Sequence, residues 1–125
     1  MFHVLVVEDN PGEVLLVREA IRRSSIAADV FIAYDGEQAL QMLNDSSVKA
    51  DLILLDLNLP NLDGLQILER YRVREGPPVV VLTCSSYPLD RERAFELGAK
   101  DYVVKPLELE RFMRVVSQAL QRWIG

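Results

Sequence analysis

The chain has 125 residues, of which 50% are hydrophobic, and a formal net charge of -5 at pH 7. This length suits one domain, since domains most often have about 100 to 150 residues. The hydrophobic content is sufficient to bury a core without disulfides or a structural metal. The negative charge and the lack of a basic run argue against a nucleic-acid surface. We therefore expect residues 1–125 to form a single domain without a nucleic-acid partner.

The chain contains one cysteine, Cys84, so it cannot form an internal disulfide and a reducing compartment fits best. The N-terminus opens directly into an apolar strand and lacks the pattern of a signal peptide. No segment approaches the roughly 18 apolar residues of a membrane span. We expect a soluble, cytoplasmic domain with no membrane partner. We favour Cys84 as a small buried hydrophobic residue over a redox sensor.

Five short runs rich in Val, Ile and Leu predict five strands. Three of these runs are almost continuously apolar, which is typical of parallel strands that are covered on both faces. The predicted strands cover residues 3–7, 29–33, 52–55, 79–82 and 101–104.

The segments that follow these strands carry apolar residues at helical spacing. The weakest of these patterns belongs to the fourth helix, over 89–97. Asn10 and Asp63 are predicted to cap the first and third helices, and Gly98 to end the fourth. Strands and helices that alternate through short links predict an α/β fold, with a doubly wound parallel sheet and helices on both faces.

The residues that follow the strands carry the candidate chemistry, because ligands bind beyond the carboxyl ends of open α/β sheets. The first strand is followed by Glu8 and Asp9, the third by Asp56, the fourth by Thr83 and the fifth by Lys105. Three clustered carboxylates repel one another unless they share a cation, and Mg²⁺ suits an oxygen-rich site that also takes phosphate. One carboxylate could then attack phosphorus while Thr83 and Lys105 stabilise the phosphoryl oxygens.

The spacing of these residues resembles the response-regulator receiver family over the whole chain. The resemblance implies the flavodoxin-like strand order 2-1-3-4-5. It also implies that Glu8 and Asp9 hold Mg²⁺ and that Asp56 both binds the metal and accepts a phosphoryl group. By the same resemblance, the backbone carbonyl of Asn58 completes the metal site.

The resemblance assigns further roles around the phosphoryl group. The Thr83 hydroxyl is expected to turn toward it and Lys105 to contact it, with a cis peptide bond preceding Pro106. Tyr102 falls at the aromatic switch position, which swings inward on activation, although ordinary packing explains a tyrosine there equally well.

Four positions tune the site in this interpretation, and they are Cys84, Asn58, Ser85 and Pro106. Cys84 departs from the Ala or Gly that the family normally has after the threonine, so we expect its larger side chain to narrow access to the phosphoryl group. Asn58 and Ser85 occupy the two variable positions that influence the rate of dephosphorylation. The residue types at these two positions do not give the lifetime of the phosphorylated state.

The same resemblance implies a phosphoacceptor switch rather than an enzyme, limited to self-phosphotransfer and autodephosphorylation. His3, the single histidine, starts a strand and is interpreted as structural, so the phosphoryl donor must be external, as a histidine kinase would be. The run from Glu8 to Pro11 is similar to receivers that partner bacterial phytochromes.

We expect a downstream protein target and no output domain within this chain. Trp123 and Ile124 are apolar residues at the end of the last helix, beyond what a small core needs. A homodimer formed through this helix and a monomer are therefore both expected possibilities.

Three other functions are weighed against this one. A Mg²⁺-dependent aspartyl-phosphate hydrolase would have a second acid where this chain has Asn58. A nucleotide- or flavin-binding domain would have a glycine- or hydroxyl-rich loop where residues 8–12 are acidic. A degenerate receiver would bind partners without phosphorylation, but the key residues are intact.

Overall fold

The computed structural model describes residues 1–45, 48–71 and 76–125. Within these residues, five strands alternate with five helices, as the sequence predicts. The strands are β1 (Phe2–Val7), β2 (Ala28–Ala33), β3 (Leu52–Leu55), β4 (Val79–Thr83) and β5 (Asp101–Val104). The helices are α1 (Pro11–Arg23), α2 (Gly36–Asn44), α3 (Gly64–Arg70), α4 (Pro88–Glu96) and α5 (Leu109–Trp123).

All paired strands are parallel, and the sheet has the order β2-β1-β3-β4-β5. The predicted flavodoxin-like fold is therefore confirmed. The last residue of β1, Val7, pairs with both Ala33 and Leu55, the last residues of the two neighbouring strands. At the other side of β4, Thr83 pairs with Val104. The carboxyl ends of the strands are thus in register at one edge of the sheet.

The apolar runs of the strands supply two core clusters, one on each face of the sheet. Leu55 and Val81 face the side that packs against α2, α3 and α4. Leu54 and Val80 face the opposite side, where α1 and α5 contribute residues such as Val116. Because neighbouring residues of a strand point to opposite faces, a strand covered on both sides must be apolar throughout.

The predicted caps are confirmed, and α4 begins and ends one residue earlier than predicted. The Asn10 side chain accepts hydrogen bonds from two backbone N–H groups in the first turn of α1. Asp63 forms a capping box with Gln66 at the start of α3. Gly98 follows α4 with a φ of 106°, a left-handed conformation that side chains other than glycine rarely adopt.

The end of α5 packs more closely than the sequence suggests. Trp123 and Ile124 contact the core cluster shared by α1 and α5, so they are partly buried rather than free for a partner. Homodimer formation stays a prediction. In the three described stretches of chain, no helix combines the length and apolar character needed to cross a bilayer.

Candidate functional site

Backbone hydrogen bonds extend the parallel sheet past its strands and fix three of the predicted site residues. Glu8 donates its N–H to the Ala33 carbonyl at 3.0 Å, and Asp56 donates to the Val7 carbonyl at 3.1 Å. Lys105 donates to the Thr83 carbonyl at 2.7 Å. These bonds explain why residues far apart in sequence meet at this edge.

Asp56 is buried, and both of its carboxylate oxygens accept hydrogen bonds. Oδ1 accepts from the backbone N–H of Asn58 at 3.1 Å, and Oδ2 accepts from Nζ of Lys105 at 3.1 Å. The backbone here lies against the start of α3, because a Cβ on Gly64 would come within 2.5 Å of the Asp56 carbonyl oxygen. Only glycine allows this approach, which holds the loop after β3 close to the helix.

Lys105 is the central cation of the site. Its ammonium contacts Glu8 Oε1 at 2.6 Å as well as Asp56, and the side chain is only 4% exposed. It also forms an ion pair with Glu13, a residue of the first turn of α1. A buried charge is costly unless it is paired, and here three carboxylates surround one ammonium.

The pKa values of these groups reflect their burial and the hydrogen bonds and charges around them. Burial raises the pKa of Glu8 to about 8, and the hydrogen bond with Glu13 and the charge of Asp56 add to this effect. Burial also acts to raise the pKa of Glu13, but hydrogen bonds from Glu8 and Lys105 outweigh it and lower that pKa. Burial acts to lower the pKa of Lys105, but hydrogen bonds to Glu13 and Glu8 raise it above its usual range.

Glu8, Asp9 and Asp56 are arranged as a set of cation ligands. Each offers one carboxylate oxygen, and these oxygens lie within 4.8 Å of one another. Hard divalent cations such as Mg²⁺ prefer oxygen ligands of this kind. The three oxygens and their spacing fit a bound Mg²⁺, which would also offset the negative charge of these acids.

The remaining predicted residues form a second, connected group beside the acids. Thr83 is fully buried, and its hydroxyl oxygen accepts from the Ser85 backbone N–H at 3.3 Å. The Ser85 hydroxyl donates to Asp90 of α4 at 2.6 Å. Tyr102 lies inward, and its hydroxyl donates to the Ser85 carbonyl at 2.8 Å. Ser85 therefore joins the end of β4 to both α4 and β5.

Two expectations from the sequence are wrong. Cys84 is exposed, not buried, because it follows the last residue of β4 and turns away from the core. The peptide bond before Pro106 is trans, since no cis bond occurs in the described parts of the chain. An X–Pro bond intrinsically prefers trans by about 0.5–1 kcal/mol, so the proline alone does not determine the isomer.

Sequence reasoning missed three residues that contact the site. Glu13 pairs with Lys105, and its position in the first turn of the helix that opens at this edge was the available signal. Asp90 is the partner of Ser85. Arg91 of α4 donates to the Tyr102 carbonyl at 3.3 Å and lies 5.7 Å from the centre of its ring. The contacts of Asp90 and Arg91 depend on tertiary packing and had no sequence signal.

The fold and the site together define an α/β protein that gathers acids, a hydroxyl and a lysine beyond the carboxyl ends of a parallel sheet. A family model described as the response regulator receiver domain matches residues 4–117. The chain therefore belongs to the response regulator receiver family, as its sequence motifs predict.

Relatives and solved structures agree with this assignment. The transcriptional regulatory protein CpxR of Escherichia coli is 35% identical over 122 residues, covering 98% of this chain and 50% of CpxR. The phosphorylated cyanobacterial phytochrome response regulator RcpA has a TM-score of 0.90 at 30% identity, covering 99% of this chain and 94% of RcpA. The Mn²⁺-bound response regulator Rcp1 has a TM-score of 0.86 at 32% identity, covering 100% and 96%. The chain spans about half the length of the curated relatives it matches.

Proposed function

We propose that this chain is a phosphoacceptor switch in which Asp56 receives a phosphoryl group from a histidine kinase. The observation that carries this proposal is the environment of Asp56. It is a buried carboxylate with one oxygen on Lys105, and it belongs to the three-acid cluster. A group that accepts a phosphoryl needs positive charge at hand and a shielded position, and Asp56 has both.

We propose that Glu8, Asp9 and Asp56 hold Mg²⁺, together with the backbone carbonyl of Asn58. When bound, the ion neutralises charge on the phosphoryl oxygens. The three acids are the only described residues of the chain that form such a cluster. The Mn²⁺-bound form of Rcp1 supports a divalent ion in a related receiver.

In the reaction, a carboxylate oxygen of Asp56 attacks phosphorus. The bond from phosphorus to the donor breaks, and the donor leaves with the electron pair of that bond. Lys105 donates a hydrogen bond to a phosphoryl oxygen and offsets its charge. The Thr83 hydroxyl, at the end of the neighbouring strand, supplies a second donor. Water later attacks the phosphoaspartate and resets the switch, so we expect no turnover of an external substrate beyond the phosphodonor.

The signal would leave the site through Ser85. Its backbone contacts Thr83 and Tyr102, while its side chain contacts Asp90. Movement of Thr83 toward a phosphoryl group would therefore disturb α4 and β5 together, and a downstream protein would read that surface. A phytochrome-type kinase as the donor is supported by the likeness to RcpA.

Intact mass after incubation with acetyl phosphate tests the phosphoacceptor role. The wild type should gain one phosphoryl group when Mg²⁺ is present, and Asp56→Asn should gain none. Asp51→Asn is a matched control, because Asp51 is an exposed acid just before β3 at the opposite edge of the sheet. A full adduct on Asp56→Asn would refute the assignment.

A further inference from the structure

The three hydrogens of the Lys105 ammonium are all committed to carboxylates. Two of the partners, Glu8 at 2.6 Å and Asp56 at 3.1 Å, are also members of the acidic cluster. The third partner, Glu13, lies outside that cluster. Lys105 therefore has one partner, Glu13, that is not among the candidate metal ligands.

The position of Glu13 is fixed by the start of α1. Asn10 caps the helix, and its side chain accepts from the N–H groups of Gly12 at 2.9 Å and Glu13 at 3.2 Å. The cap holds the backbone at Glu13 in place, so its side chain reaches Lys105 from a rigid base. The Glu13 side chain is 28% exposed, so solvent only partly screens its charge.

This arrangement matters for the phosphotransfer proposed above, on which the inference rests. Lys105 must donate a hydrogen bond to the phosphoryl group. The ammonium hydrogen that it donates to Asp56 in this structure already points to the carboxylate that would carry that group. The ion pair between Glu13 and Lys105 would still be present when the phosphoryl group is transferred. Because a phosphoryl group and a carboxylate are both anions, they compete for the same cation.

We propose that Glu13 is an internal counter-ion that competes with the phosphoryl group for Lys105 and so restrains phosphorylation of Asp56. It is a positioning residue, since it acts on the reacting group only through Lys105. The transfer itself is unchanged: Asp56 forms a bond to phosphorus as the bond to the donor breaks. What Glu13 sets is how much of the Lys105 charge is available.

Glu13→Gln tests the proposal, because it removes the charge and keeps the size of the side chain. With acetyl phosphate and saturating Mg²⁺, the rate of adduct formation should rise about three- to tenfold. The affinity for beryllofluoride should rise by a similar factor. A gain in rate cannot come from damage to the fold, which would lower it. Glu13→Asp, which keeps the charge but not the reach, should also speed the reaction.

Glu37→Gln is the matched control. Glu37 lies in the first turn of α2 and is exposed. Glu37→Gln therefore changes the net charge by the same amount as Glu13→Gln and also removes an acid from a helix N-terminus. It should leave the rate of adduct formation unchanged. If Glu37→Gln raised the rate as much as Glu13→Gln, the effect would be one of general charge and the proposal would be overturned.

A second measurement needs neither metal nor phosphodonor. In the metal-free wild type, the ammonium protons of Lys105 should exchange slowly with water in nuclear magnetic resonance spectra, because they are hydrogen-bonded to Glu8, Glu13 and Asp56. In Glu13→Gln they should exchange faster. Unchanged exchange would show that Glu13 does not restrain Lys105 and would overturn the proposal.

The two proposals fail in different ways. If the wild type forms no adduct, the phosphoacceptor function itself is wrong. If the wild type is phosphorylated but Glu13→Gln reacts at the same rate or more slowly, only the role of Glu13 is wrong.

Discussion

The two edges of the sheet differ in how far their polar residues are buried. At the carboxyl edge, four polar or charged residues are buried: Glu8, Asp56, Thr83 and Lys105. At the amino edge, His3 and Asp51 make their contacts at the surface, and Ser24 is buried but satisfied within its own turn. Burying charge costs free energy, and among the described residues the buried charges lie at the carboxyl edge, which makes that edge the candidate functional site.

The difference also shows how the site is assembled. Each edge is built by the same parallel ladder, and each has loops that join strands to helices. At the amino edge, the contacts of His3 with Asp29 and Asp51 are exposed to solvent. At the carboxyl edge the polar contacts are shielded, and Lys105 joins three elements of the fold through Glu8, Glu13 and Asp56. Four predictions, from the largest effect to the smallest, test this contrast.

Removing the ammonium at the carboxyl edge should have the largest effect. Lys105→Met should slow adduct formation with acetyl phosphate by about a hundredfold, because it removes the ammonium that contacts Asp56. Lys49→Met is the control, since Lys49 lies just before β3 at the amino edge and is exposed. The rates are measured by intact mass on folded protein. Equal rates for Lys105→Met and wild type would show that the buried ammonium of the carboxyl edge does not serve phosphorylation.

The buried hydroxyl of Thr83 should matter next. Thr83→Ala should reduce beryllofluoride affinity on the order of tenfold, because a hydrogen bond to a charged group is lost. Thr83→Ser keeps the hydroxyl and should stay close to wild type. Titration calorimetry at saturating Mg²⁺ measures both. If Ser and Ala behave alike, the hydroxyl does not contact the phosphoryl group.

The carboxyl edge should also control how stability depends on pH in the metal-free protein. Burial raises the pKa of Glu8 to about 8, above its ordinary value of 4.5. Between these values the folded chain keeps a proton that the unfolded chain has released, so the free energy of unfolding falls as pH rises. The lowered pKa of Glu13 and the raised pKa of Lys105 act outside this window.

Glu8→Gln cannot titrate, so its free energy of unfolding should fall less across the same window. Urea unfolding in the presence of EDTA measures both slopes. Glu37→Gln, on the exposed face of α2, should retain the wild-type slope. A Glu8→Gln slope as steep as that of the wild type would contradict the burial effect at Glu8.

The smallest effect is expected where the buried network meets β5. Tyr102→Phe removes the hydrogen bond to the Ser85 carbonyl and should lower the free energy of unfolding by about 1 kcal/mol. Tyr87→Phe is the control, because Tyr87 is exposed. Urea unfolding that fails to separate the two variants would mean that this hydrogen bond adds nothing to stability.

Much of this arrangement could be predicted from the sequence, for a physical reason. Parallel strands repeat the same register, so residues such as Asp56 and Lys105 that follow apolar runs must meet at one edge. Helix caps such as Asp63 are local and equally readable. The strand order needed the family resemblance, because the apolar patterns of the five strands are too alike to rank.

What could not be predicted depends on how side chains reach across elements. The first-turn position of Glu13 in α1 could be read from the sequence, but its contact with Lys105 depends on how far the side chain reaches across to the end of β5. Cys84 was expected in the core because a free cysteine usually behaves as a small buried hydrophobic residue, yet it is exposed just after the end of β4. Tyr102 packs in the core cluster and donates to the Ser85 carbonyl, a backbone partner that has no sequence signature.

The central claim is that the buried charges of the carboxyl edge serve phosphorylation of Asp56. It is tested most directly by locating the phosphoryl group after reaction with acetyl phosphate and Mg²⁺. Reduction with borohydride converts a phosphoaspartate to homoserine, which peptide mass spectrometry can place in the chain. We predict homoserine at Asp56 alone. Homoserine at Asp9 or at an amino-edge acid such as Asp51, with none at Asp56, would contradict the account.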